Sequence, residues 1–165
     1  MEINVRKANS YDYNAICELF DEIDALHRDN LPHLFQKPGG PAREQEYYSG
    51  LIADENVGLF VAEAGEKLVG FVHTIIRDTP PFPIFVPRRY AMVDSIVVKS
   101  GFHNRGIGRI LMDKMQAWAI AKGATSIELS VYEFNETAIC FYERLGYKTF
   151  NRRMSKDLEV DEAGR

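Results

Sequence analysis

Residues 103–109 read His-Asn-Arg-Gly-Ile-Gly-Arg, where the apolar run Ala-Met-Val-Asp-Ser-Ile-Val-Val (residues 91–98) gives way to a helical pattern. A helix start leaves amide N–H groups unpaired and carries the positive end of the helix dipole. Gly106 and Gly108 would let that backbone approach a bulky anion, with no Cβ in the way. Arg105 and Arg109 add positive charge at the rim. The chemistry this suits is binding of a phosphate or pyrophosphate. The same residues also suit a glycine-rich turn that only allows a helix to pack tightly on a sheet, and the stretch alone leaves both open. It is not a P-loop, because GxxxxGK followed by Ser or Thr is absent. It is not the dinucleotide fingerprint either, because Leu111 stands where the third glycine would be.

Other residues could move protons. Asp94 lies two residues beyond Met92 in the apolar run, so strand alternation puts both on one face. It could accept a proton directly or through water, hold a cationic substrate, or cap a neighbouring loop. His73 and Tyr90 stand behind it as candidates; a lone histidine in a strand is ordinarily a hydrogen-bonded structural residue. Tyr142 follows Ala138 by four residues, a spacing that by itself reads as helix core, and Asn135 reads as a helix cap. The four histidines are scattered, and Cys17 and Cys140 have no metal-type spacing. We therefore expect no metal, and two buried free thiols.

The elements that must position these residues follow from periodicity. A first strand holds Ile3 and Val5, and Asn9 or Ser10 caps a helix with Tyr13, Ile16, Phe20 and Ile23 on one face. The Pro/Gly-rich stretch after residue 28 breaks that helix, with Leu31, Leu34 and Phe35 expected to tuck into the core. A second helix is predicted over about residues 42–53. Residues 57–64 and 67–78 form a hairpin around a short Gly-containing turn. The proline-rich residues 79–89 are an excursion before a fourth strand at 90–98. Arg88 and Arg89 there could meet phosphates or an acidic substrate, or simply lie at the surface. A helix over 106–122 ends at Gly123, a fifth strand covers 126–133, and a short helix runs from Asn135 to Gly146. Residues 148–160 read as a final strand or strand pair. The order implies one mixed α/β domain over residues 1–158, with a polar tail at 159–165.

Composition agrees with such a domain. The chain has 165 residues, 45% hydrophobic and 27% charged. A net charge of −4 disfavours nucleic acid as an obligate partner. The first residues lack an apolar signal core and no stretch is long enough to span a membrane, so the expected setting is cytoplasmic, without membrane partners.

The spacing around residue 103 resembles the GNAT superfamily of acyl-CoA-dependent N-acyltransferases. Its pyrophosphate loop reads [Q/R]-x-x-G-x-[G/A] after a strand ending in aliphatic residues. Ile96, Val97 and Val98 match the strand end, and His103, Asn104, Arg105, Gly106, Ile107 and Gly108 match the loop. His103 departs from the preferred Gln or Arg; backbone amides supply most of the loop's contacts, so the departure should tune affinity. A second motif, N-x-x-A-x-x-x-Y, is matched by Asn135, Ala138 and Tyr142, followed by Leu145-Gly146-Tyr147.

The resemblance implies a central mixed sheet of six to seven strands, helices on both faces, and fourth and fifth strands splayed at one end. It implies acetyl-CoA as co-substrate. The pantetheine arm would lie along Ile96–Val98 as a small β-augmentation, near Asn135, Ala138 and Tyr142. The pyrophosphate would lie on the amides of His103–Arg109. Tyr142 would be the general acid. Some members carry a glutamate where this chain has Met92, which leaves Asp94 as the candidate base. The implied activity is acetyl transfer to a primary amine, of a protein, peptide or small molecule, directly within a ternary complex by a monomer or homodimer. The alternative is a non-catalytic acyl-CoA-binding regulatory module.

Overall fold

In the computed structural model, which describes residues 1–161, the first apolar alternation forms strand β1 (Ile3–Lys7). Asn9 then opens one turn of 3₁₀ helix: its side chain accepts from the Tyr11 amide, while the Asp12 carboxylate accepts from the Asn9 amide. This capping box satisfies donors that a helix start would otherwise leave unpaired. Helix α1 (Tyr13–Asn30) follows and buries Ile16, Leu19 and Phe20, one stripe at helical spacing. Helix α2 (Gln45–Ala53) starts three residues later than the predicted bound. Strands β2 (Val57–Ala64) and β3 (Lys67–Asp78) form the expected hairpin, with Gly65 left-handed at its turn. Strand β4 (Arg89–Val98), helix α3 (Ile107–Ala121) and strand β5 (Ser126–Leu129) complete a strand–helix–strand crossover. Helix α4 (Glu136–Arg144) is capped by Asn135.

Five strands form one sheet in the order β1-β2-β3-β4-β5; the first three pairings are antiparallel and β4–β5 is parallel. Helices cover both faces. On one face Leu59, Val61, Phe71 and Val97 share a core with α1 and α2, and the Phe20 and Phe71 rings lie 4.7 Å apart. On the other face Phe60 meets Trp118 of α3 edge-on. Close approach of α3 explains Gly58, and close approach of the β4 backbone, with Leu111 of α3 behind it, explains Gly70. A Cβ at Gly58 would lie 2.7 Å from the Trp118 ring, and one at Gly70 would lie 2.8 Å from the Val97 carbonyl oxygen.

Four expectations need correction. The sheet has five strands, not six to seven. Residues 148–161 form no strand and are exposed; Phe150, Met154 and Leu158 would share one strand face, but among the described residues no strand pairs with the segment. The thiols are free, but Cys17 is half-buried and Cys140 exposed. Leu34 is exposed rather than tucked into the core, while Phe35 is half-buried beside the His27 ring.

The chain divides into two compact units, Met1–Ser130 and Val131–Arg165. The first holds the whole sheet and α1–α3; the second holds α4. Of the tail expected at 159–165, residues 162–165 lie outside the described residues. Among the described residues, no helix is long and apolar enough to cross a membrane.

Candidate active site

The fourth strand outruns its neighbour. Pairing with β5 covers Tyr90–Val93 only, and β4 continues through Asp94–Val98 without a β5 partner. β5 ends at Leu129, so the later part of β4 keeps an edge with no β5 neighbour. Lys99 donates its amide to the Val69 carbonyl at 2.8 Å, on the β3 side. Peptide groups along a strand alternate in direction. Those of Val97 therefore face β3, and those of Ile96 and Val98 face the edge that β5 has left. Val97 buries its side chain, and Ile96 and Val98 are half-buried.

Beyond this edge the chain turns sharply into α3. Gly101, Asn104 and Gly106 have φ of 90°, 61° and 78°, left-handed values that glycine tolerates freely and asparagine more readily than most residues. Ser100 is held by its amide, which donates to Glu22 at 3.0 Å. Ile107, 1% exposed, anchors the first turn of α3 in the core. The helix has no side-chain N-cap, so its first amides have no partner within it. A Cβ added at Gly106 would meet nothing within 4 Å, so the space before these amides is open. His103, Asn104, Arg105 and Arg109 are exposed around that space, and Arg105 lies over the Phe102 ring. His103 Nε2 bonds the Val98 carbonyl at 2.7 Å, joining the loop to the free edge of β4. An open row of amides beside guanidinium groups is a seat for an anion.

Arg88 and Arg89 do not belong to that seat. Arg88 pairs with Glu128 at 2.7 Å and lies over the Tyr90 ring. Arg89 pairs with Asp78 and donates to the Lys122 carbonyl. Both are engaged in holding the start of β4.

Asp94 occupies a β-bulge. His73 of β3 is opposite Ser95, Thr74 is opposite Val93, and Asp94 is the extra residue between them. Met92 and Asp94 lie on one face, as alternation predicts; the bulge breaks the alternation at the next step, where Ser95 lies opposite His73 on that same face. Asp94 Oδ2 lies 3.2 Å from His73 Nδ1, at ion-pair distance but without the alignment of a full hydrogen bond. Ser95 donates to the same oxygen at 3.3 Å. The His73 ring holds the Asp94 carboxyl below the usual carboxylate range, against an opposing effect of burial; Ser95 and Arg43 act in the same sense as His73. Tyr47 also faces this carboxylate: burial, and then the charge of Asp94, push its phenol up. Arg43 is itself paired with Asp24 of α1. No local pattern could have revealed Arg43 and Tyr47 as neighbours of Asp94, because tertiary folding brings them there.

In the second unit, Asn135 Oδ1 accepts from the Ala138 amide at 3.2 Å. The Tyr142 and Tyr147 rings meet edge-on at 5.8 Å, and the Tyr147 amide donates to the Tyr142 carbonyl. Burial, followed by the influence of Tyr147, pushes the Tyr142 phenol up to about 12, so it is a neutral donor at pH 7.

The Acetyltransferase (GNAT) family profile matches residues 20–147, from α1 to the tyrosine after Gly146. The chain belongs to the GNAT family. Within it, an uncharacterized N-acetyltransferase of Methanocaldococcus jannaschii is 35% identical over 102 residues, which is 62% of this chain and 44% of that protein. The chain therefore spans less than half the length of that relative. A mutant protein from Bacillus halodurans has the same fold, with a TM-score of 0.88 at 23% identity over 94% of this chain and 99% of that one. An aminoglycoside N-acetyltransferase solved with CoA gives a TM-score of 0.70 at 16% identity, over 95% of this chain and all of that one.

In this GNAT chain the first unit thus brings together Ile96, Val98 and His103–Arg109, with Asp94 on the same strand. Asn135, Ala138 and Tyr142 share one turn-and-helix segment of the second unit. Among the described residues, no group of His, Cys, Asp or Glu is arranged to hold a metal ion.

Proposed function

We propose that the protein is an N-acetyltransferase that moves an acetyl group from acetyl-CoA to a primary amine, directly within a ternary complex. The observation that carries this reading is continuity: the edge at Ile96–Val98, which has no β5 partner, runs into the open amides of the α3 start. An extended amide-bearing arm ending in a pyrophosphate matches both parts at once. The CoA bound by the aminoglycoside enzyme of the same fold supports this choice of carrier.

On this reading Ile96 and Val98 bond the pantetheine amides, and the amides of His103–Arg109 take the pyrophosphate. The Val98 N–H polarises the thioester carbonyl as negative charge develops on it. Asp94 receives the acceptor's ammonium. A lysine-like amine, with pKa near 10.4, is almost wholly charged at pH 7 and must lose a proton before its lone pair can attack. Asp94 orients that ammonium and takes its proton, directly or through water. Tyr142 donates to the departing sulfur. A phenol held near 12 is a weaker acid than a thiol near 8.5, so its contribution is a hydrogen bond that stabilises the thiolate rather than complete proton transfer.

Met92, where some family members carry glutamate, favours the second reading, a non-catalytic acyl-CoA-binding regulatory module. One experiment separates the two. Purified protein is mixed with acetyl-CoA and a panel of amino acids, diamines, aminoglycosides and peptides, and free thiol is followed. Amine-dependent CoA release supports the enzyme. Tight acetyl-CoA binding with no release for any amine supports the module.

A further inference from the structure

His73 is not the satisfied core histidine that its place in a strand suggests. Its side chain is 1% exposed, yet neither ring nitrogen has an aligned hydrogen-bond partner. Unpaired polar atoms are costly inside a protein and call for an explanation. A charged group stands at the ring: the Asp94 carboxylate, 3.2 Å from Nδ1. That carboxylate is there because of the bulge: without the extra residue, β4 would keep strict alternation opposite His73 and Thr74. The Asp94 side chain is 51% exposed, so one side meets the buried ring and the other meets solvent. The other groups that bear on it are Ser95 on its own strand, Tyr47 of α2 and Arg43 just before α2.

We propose that His73 is a positioning residue: it aims and holds the Asp94 carboxylate so that its solvent-facing side receives the acceptor's ammonium. The proposal rests on the acetyltransferase reading above, which it extends to a residue that cannot itself reach substrate. A carboxylate oxygen only accepts, so His73 presents Nδ1 as the hydrogen-bearing atom. The neutral amine attacks the thioester carbon, the C–S bond breaks and CoA leaves as the thiolate, and the proton that the nitrogen sheds as the N–C bond forms passes to Asp94 or to an intervening water. His73 neither gains nor loses a proton in this step.

The test uses the full chain and the conservative variants His73→Asn and His73→Gln, with Asp94→Asn and the double variant. On the best acceptor from the amine panel, His73→Asn should lower kcat/KM about tenfold while KM for acetyl-CoA stays unchanged. Because His73 lowers the Asp94 pKa, removing it should move the acidic limb of kcat/KM upward. A purely structural role would lower activity without moving that limb. The double variant should be no worse than Asp94→Asn alone, whereas independent losses would multiply and overturn the proposal. A second readout needs no turnover: the ¹³C carboxyl signal of Asp94, titrated in wild type and in the His73 variants. An upward shift in its midpoint supports the pairing, and an unchanged midpoint overturns it. Should neither His73 variant fold, the imidazole signals of His73 in Asp94→Asn decide: they move if the pair exists and stay put if it does not. If wild type releases no CoA with any amine, the acetyltransferase reading fails, while the carboxyl titration still reads the pair.

Discussion

His103 Nε2 donates to the main-chain carbonyl of Val98 at 2.7 Å. A carbonyl only accepts, so Nε2 is the nitrogen that carries the hydrogen. The residue that departs from the family's preferred Gln or Arg thereby fastens the anion loop to the last residue of β4. A glutamine amide can make the same kind of bond, whereas alanine cannot. We expect His103→Gln to bind acetyl-CoA within about twofold of wild type and His103→Ala to bind about three- to tenfold more weakly, the range of one neutral hydrogen bond. Isothermal titration with acetyl-CoA checks both, and equal affinity in His103→Ala would remove the bond from the account.

Gly106 combines a left-handed backbone with open space before it. Replacement by valine adds backbone strain of about 1–2 kcal/mol and places carbon where the phosphates are expected. Acetyl-CoA affinity should fall more than tenfold, and the thermal midpoint should drop as well. Retained affinity in the same titration would count against the pyrophosphate seat.

Tyr142→Phe removes the phenol but keeps the ring. Turnover should fall about a hundredfold, with acetyl-CoA affinity nearly unchanged. Steady-state kinetics beside equilibrium binding separates the two effects. A loss confined to binding would reassign Tyr142 to the cofactor's surroundings.

Arg6 clamps the start of the fold. It donates to both Asp12 oxygens at 2.8 and 2.9 Å and pairs with Glu63 at 2.7 Å. The Arg6 hydrogen bonds hold Asp12 below the usual carboxylate range, against burial. Its folded pKa is thus lower than its unfolded one. The stability it supplies is fully present above the unfolded value, near about 3.9, and is lost as pH falls through the lower, folded value. Arg6→Ala should cost about 2 kcal/mol at pH 7, because it leaves Asp12 charged and buried but is softened by the partial exposure of the guanidinium. The deficit should shrink in strong acid. Urea unfolding at neutral and acid pH measures it, and a cost that does not change with pH would contradict the pairing.

Much of the fold is legible in the sequence. The hairpin of β2 and β3, the strand before Gly106 and the left-handed glycines at 106, 123 and 146 all follow from local chemistry, in which each residue type permits few backbone states. The bulge at Asp94 is not legible, because an inserted residue changes strand register without changing composition. Nor is the convergence of Arg43 and Tyr47 on that carboxylate, which depends on how α1 and α2 lie on the sheet. The segment after Tyr147 reads as strand, with Phe150, Met154 and Leu158 on one face, but forms none and is exposed, because a local pattern does not say whether another strand is there to pair with it.

The ion pair of Arg88 with Glu128, and the bond from the Thr125 amide to the Arg89 carbonyl, pin β4 to β5 at one end alone. β5 ends where its pairing ends, while β3 holds β4 along its length. Amide hydrogen exchange should therefore be faster at Ile96 and Val98, whose peptide groups face the edge without a β5 partner, than at Val97, whose groups face β3. A carrier lodged along that edge would slow the exchange, so that the ligand serves as the missing brace of the protein that holds it.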